Sequence, residues 1–103
     1  MYVLNYWHTT PDYAAWKTIF DSDPLGREAS GVRRYRIERP MDDEHMVVGE
    51  LEFDSLAEAE TFAGRLEGVW SGPAGQVVSN AGYRITEVLE QGQLGSESGR
   101  RAA

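Results

Sequence analysis

Tyr2-Val3-Leu4-Asn5-Tyr6-Trp7-His8 decides the fold, because both of its alternating sets are largely apolar: Tyr2, Leu4 and Tyr6 on one side, Val3 and Trp7 on the other. Such a strand buries both faces and belongs inside a sheet. His45 to Phe53 repeats the pattern, with Val47, Leu51 and Phe53 against Met46 and Val48. Between them Val32 to Arg39 alternates differently: Tyr35 and Ile37 share one face, while Arg34, Arg36 and Glu38 make the other charged. A strand with a charged face suits a sheet edge.

Outward from these strands the helices read clearly. Thr10-Pro11-Asp12 supplies an N-cap, a proline for the first helical position and an acid for the first turn, and Tyr13, Trp16, Ile19 and Phe20 follow at helical spacing. The first helix is predicted from about Pro11 to about Asp21, where Asp21-Ser22-Asp23-Pro24 stops it. Leu25 to Ser30 is a short helical turn closed by Gly31. Ser55, with Glu58 three residues on, signals a capping box, and Leu56, Ala59, Phe62, Ala63, Leu66 and Trp70 make one apolar stripe. After Ser71-Gly72-Pro73-Ala74-Gly75, Gln76-Val77-Val78 is expected to pair briefly, and Tyr83 to Glu90 to form the last strand. From Gln91 on, Gly, Ser, Gln and Arg dominate. The expected organisation is one domain over residues 1–90 and a disordered tail over 91–103.

The order strand–helix–strand, strand–helix–strand predicts an α+β, ferredoxin-like βαββαβ fold: a four-stranded antiparallel sheet with two helices on one face. Right-handed crossovers give the spatial order 4-1-3-2, with the doubly apolar strands in the centre. Matching apolar faces in the middle hairpin requires paired residue numbers with an even sum; a sum of 84 sets Arg34 opposite Glu50 and Tyr35 over Gly49. Two helices cover only one sheet face. Val3, Trp7, Met46 and Val48 therefore predict a homodimer that buries the other face against a second copy.

These elements, over roughly residues 1 to 90, resemble the dimeric α+β barrel superfamily, which includes small monooxygenases of antibiotic biosynthesis, haem-degrading monooxygenases and stress-responsive barrel proteins. The resemblance implies half-barrels closing around their sheets, and a cavity between helices and sheet in each subunit. It also implies cofactor-independent chemistry of monooxygenase or isomerase type on an aromatic or polyketide-like substrate, or else a non-catalytic ligand-binding or stress-response module. Haem-degrading relatives use an Asn on the first strand, a Trp near the second helix and an iron-binding His. Asn5 and Trp70 stand at the first two places, but no histidine follows Trp70.

The residues themselves offer one candidate site. His8 closes the first strand and is the candidate proton carrier, with Tyr6, Trp16, Tyr35 and Trp70 as walls for a small aromatic ligand. The same residues also fit a packed aromatic core with His8 as a solvated strand end. The two readings separate on whether the space beneath the helices is open, with His8 facing it, or plugged by Trp16 and Trp70. Asn5 and His8 alternate to opposite faces, so both reach the cleft only across a bulge.

Other chemistries find little footing. The 103 residues contain no cysteine, which removes disulfides, thiolate metal sites and thiol nucleophiles. A net charge of −7 repels phosphate backbones and anionic membranes, and Arg33, Arg34, Arg36 and Arg39 are offset by Glu38, Asp42, Asp43 and Glu44. Nucleic acid and membrane are therefore not expected as partners. Neither a metal nor another cofactor is expected, since consecutive acids at 42–44 beside His45 cannot all face one ion. No phosphate loop or Gly-x-Ser-x-Gly elbow occurs. Without a basic leader or a membrane-length apolar run, the expected location is cytoplasmic.

Overall fold

A computed structural model describes residues 1–95. Its elements are β1 (Tyr2–Thr9), α1 (Tyr13–Ser22), β2 (Val32–Glu38), β3 (Met46–Phe53), α2 (Leu56–Ser71), a 3-10 turn (Pro73–Val77) and β4 (Ser79–Glu87). The antiparallel strands lie in the order β2-β3-β1-β4, so the two doubly apolar strands are central, as their patterns require. Leu4, Tyr6, Val47, Leu51 and Phe53 point to the helical layer and pack with Trp16, Ala59, Phe62 and Ala63 as the core. Phe53 and Phe62 meet at a ring separation of 5.7 Å.

Helix α2 begins where its cap predicts: Ser55 accepts a hydrogen bond from the Glu58 amide at 3.2 Å. Helix α1 starts two residues later than expected. Asp12 is its N-cap, accepting from the Ala15 amide at 3.1 Å, whereas Thr10 is buried and its hydroxyl engages His8. Pro11 thus precedes the helix. At the other end Asp23 takes the left-handed conformation (φ 55°) and returns its amide to the Phe20 carbonyl at 3.0 Å.

The β2–β3 register departs from expectation by two residues. Arg34 faces Glu52, Arg36 faces Glu50 and Tyr35 faces Leu51, so the numbers sum to 86, which keeps the same faces inward. Gly49 is occupied from the other side: Tyr6 is its partner on β1, and the Tyr6 ring lies where a Gly49 Cβ would stand. Ile37, smaller than Tyr35, is what β2 sets beside it. Arg36 donates to Glu50 at 3.2 Å.

Two further expectations are corrected at the C-terminal end. Val77 closes the 3-10 turn and Val78 follows it without strand pairing, because Gly72 and Pro73 favour a tight turn. Strand β4 starts at Ser79, four residues early, and includes a register shift against β1 between Trp7 and Thr9, where Asn80 adopts φ 53°. Of the tail expected from Gln91, residues 91–95 are exposed and irregular, and 96–103 lie outside the described residues.

The sheet face away from the helices has two halves. Val3, Trp7, Met46 and Val48 remain half-buried, and Trp7 lies flat across Gly82, within 2.8 Å of where a Cβ would be. Asn5, Glu50, Glu52, Arg34 and Arg36 form the polar half. No helix among the described residues is long and apolar enough to cross a membrane.

Candidate functional site

The strand alternation that buries Leu4 and Tyr6 also carries His8 to the helical side. His8 is fully buried, its ring stacked on Tyr6 at 5.8 Å, tilted against Trp16 at 5.1 Å and edge-on to Trp70 at 6.5 Å. It sits where β4 shifts register, so the strand neighbour is withdrawn at this point. Nδ1 is engaged by the Thr10 hydroxyl, while Nε2 is buried and has no hydrogen-bond partner among the described residues. Burial lowers the imidazole pKa from 6.5 to about 4, so the ring is neutral at pH 7. A neutral imidazole has one donor and one acceptor nitrogen, and with Thr10 on Nδ1 the other role falls to Nε2.

His8 lines a cavity of about 70 Å³ between the sheet and the two helices. Tyr6 and Leu51 form the floor, Trp16, Ile19 and Phe20 come from α1, and Phe62, Leu66, Val69 and Trp70 come from α2. Asp23, Pro24, Leu25 and Arg27, from the loop after α1, close the remaining side. Burial also pushes the Tyr6 phenol well above its ordinary pKa, with the Arg27 charge acting in the opposite direction. The site is an apolar aromatic chamber with one unsatisfied imidazole nitrogen.

Of the five residues singled out in the sequence, the structure brings together His8, Tyr6, Trp16 and Trp70. Tyr35 is not among the lining residues. It is 54% exposed on the edge strand, packs on Phe20 at 5.3 Å, and borders a separate surface groove. Asn5 projects from the opposite sheet face, where it donates to the Thr86 hydroxyl at 3.2 Å. The alternation of β1 persists through residue 8, so no bulge carries Asn5 to the chamber. Trp16 is 7% exposed and Trp70 half-buried, and they narrow the space beneath the helices without filling it. The chamber is about half the volume of the apolar cavity of ~150 Å³ that takes up benzene. The enclosed space alone is therefore smaller than one ring needs, and fused rings exceed it further.

Sequence reading missed Thr10 and Arg27. Thr10 reads as a cap because Thr-Pro-Asp is a helix start, and its buried role depends on β1 continuing one residue further. Arg27 lies in a segment without periodicity; only the fold brings it over Phe20, 3.9 Å from the ring centre. Among the described residues no three His, Asp or Glu side chains gather as a metal site, and His45 lies exposed beside Glu44 at 3.7 Å.

No protein-family model and no curated protein matches the sequence. Solved structures do match in fold. SnoaB, a cofactor-independent oxygenase from Streptomyces nogalater, superimposes with a TM-score of 0.67 at 11% identity, over 87% of this chain and 94% of its own. A candidate antibiotic biosynthesis monooxygenase from Deinococcus radiodurans gives 0.60 at 9% identity, over 93% and 100%. A dimeric ferredoxin-like protein from an uncultured marine organism gives 0.56 at 14% identity, over 90% and 97%. Likeness at such identities is a likeness of fold. This chain carries the ferredoxin-like fold shared by antibiotic biosynthesis monooxygenase-like and dimeric ferredoxin-like proteins.

Proposed function

We propose that the protein is a small-molecule enzyme of the cofactor-independent monooxygenase or isomerase type, acting on an aromatic substrate held in the chamber, with His8 as the proton carrier. The observation that carries this reading is the buried His8 Nε2, unpartnered on an aromatic cavity while Nδ1 is held by Thr10. Both reaction types begin by removing a proton from a carbon or hydroxyl acidified by the ring. In the tautomer with Thr10 accepting from Nδ1–H, Nε2 receives that proton, and the imidazolium is stabilised as an ion pair with the substrate anion. The anion is the electron-rich form that reacts with oxygen directly or takes the proton back at another atom. Tyr6, Trp16 and Trp70 hold the ring and exclude water. SnoaB's fold supports the oxygenase form. A homodimer joined through the open sheet face belongs to the same proposal, supported by Val3, Trp7, Met46 and Val48 on that face and by the dimeric ferredoxin-like relative.

The small volume favours a second reading, a non-catalytic binding module of the same dimeric fold. Oxygen uptake and deuterium exchange with catechol and hydroquinone separate the two. The enzyme reading expects turnover above the uncatalysed rate that His8→Gln reduces by about a hundredfold or more. Turnover unaffected by His8→Gln refutes it. Binding of these phenols without turnover leaves the module, and no binding refutes both.

A further inference from the structure

The chamber's wall is interrupted by charge at one place. Arg27 and Asp23 line both the buried cavity and the adjoining surface groove of about 280 Å³ bounded by Glu28, Val32, Arg33, Arg34 and Tyr35. The Arg27 guanidinium therefore stands between chamber and surface. Its central carbon sits over Phe20, 3.9 Å from the ring centre, and 5.2 Å from the centre of Tyr35. One of its nitrogens, Nη1, donates to the Phe20 carbonyl at 2.8 Å and lies 3.4 Å from the Asp23 carboxylate. Asp23 is itself engaged, accepting from the Arg27 amide at 2.9 Å. Nε and Nη2 of Arg27 make no hydrogen bond among the described residues.

We propose that the chamber takes a single-ring aromatic acid, its ring partly enclosed against the aromatic wall at the chamber's mouth and its carboxylate on the free edge of the Arg27 guanidinium at the chamber's outer side. This rests on the proposed small-molecule site and names its ligand class. Three features lead to it. The enclosed volume is less than one ring needs, so a ring enters only in part, with its substituent directed outward. The inner end offers Nε2 of a neutral imidazole, which pairs with a ring hydroxyl and gives an anion no charge to bind. The outer end offers the remaining guanidinium donors, whose planar fork matches a carboxylate. Burial raises the Tyr6 phenol and the Arg27 charge opposes it, so the positive field of Arg27 extends into the chamber. The groove adds Arg34, which has no ion pair among the described residues, whereas Arg33 is neutralised by Asp54 at 2.8 Å. Asp23 and Glu28 border the groove as well, so its charges balance, and the donors open to a carboxylate are those on the edge of Arg27. Asp23 beside Arg27 disfavours a dianion, which selects a singly charged carboxylate over a phosphate ester.

The test uses matched probes, benzoate and benzyl alcohol, on the whole protein. Binding is measured by calorimetry and located by NMR at the Trp16 and Trp70 indole N–H groups. Benzoate is expected to bind about ten- to a hundredfold more tightly than benzyl alcohol. Arg27→Gln should erase that preference while leaving benzyl alcohol binding in place. Arg27→Lys, which keeps the charge and loses the fork, should retain part of it. The wild-type preference is itself a test should Arg27→Gln fail to fold. Equal or weaker binding of benzoate, a preference that survives Arg27→Gln, or benzoate shifts confined to the groove outside the chamber overturn this assignment and leave the aromatic site standing. Failure of both probes to bind overturns the assignment and the small-molecule site together.

Discussion

Lowering the pH from 7.5 to 4 should destabilise this protein through His8 in particular. The ring's pKa is about 4 in the folded chain and 6.5 in the unfolded one, because burial disfavours the charged imidazolium. Between those values the unfolded chain binds a proton that the folded chain refuses, so stability is full above pH 6.5 and falls as the pH drops towards 4. With these two constants the loss is about 2 kcal/mol at pH 5 and on the order of 3 kcal/mol at pH 4. That is a large share of the 5–15 kcal/mol typical of a domain. Urea unfolding followed by tryptophan fluorescence, at fixed protein concentration across this range, gives the slope for wild type and for His8→Gln. Contributions from every other group are common to the two proteins and cancel in the difference. The expected result is a wild-type curve falling more steeply by about 2 kcal/mol between pH 7.5 and 5. Parallel curves refute a buried, neutral His8, and with it the proton carrier.

Gly49→Ala should cost about 1–3 kcal/mol in urea unfolding because its methyl overlaps the Tyr6 ring, and most of that cost should vanish in a Tyr6→Ala background; an equal cost in both contradicts the packing. Val48→Glu should convert a dimer to monomer by light scattering while β-sheet circular dichroism is retained, and an unchanged dimer shows that another face carries the interface. Ser55→Ala should lower stability by about 1 kcal/mol through loss of the cap on α2, whereas Thr10→Ala should alter the titration of His8 as read by NMR, since Thr10 caps no helix.

Periodicity made most of the fold legible. Residues 2–8 and 45–53 are apolar on both alternating faces, and a sequence with two such strands, a charged third and two amphipathic helices has few ways to satisfy chirality and burial. The central position of β1 and β3 follows from that. So do the Ser55 cap, the α2 stripe and the shared face of Tyr6 and His8, all local properties of spacing.

Where the reading departed from the structure, the deciding contact was between segments distant in the chain. A two-residue slip in the β2–β3 register leaves every face unchanged, so alternation cannot detect it; the Tyr6 ring filling Gly49 is what sets it. Thr10 and Asp12 are both good caps, and the choice fell to Asp12 because the Thr10 hydroxyl is drawn to His8 as β1 runs on to Thr9. Tyr35 shares the inward parity of β2 yet stays exposed, because an edge strand extends past the helices that would cover it.

The order of elements and the identity of the central strands were already written in the sequence, because each is a matter of period and chirality along the chain. Packing alone placed His8 under the helices, left about 70 Å³ there with Nε2 of His8 unpartnered among the described residues, and set Arg27 at its outer side. Those are differences between side-chain volumes and hydrogen-bond partners brought together from four elements and the segments that connect them, and no local pattern encodes what is left over when they pack.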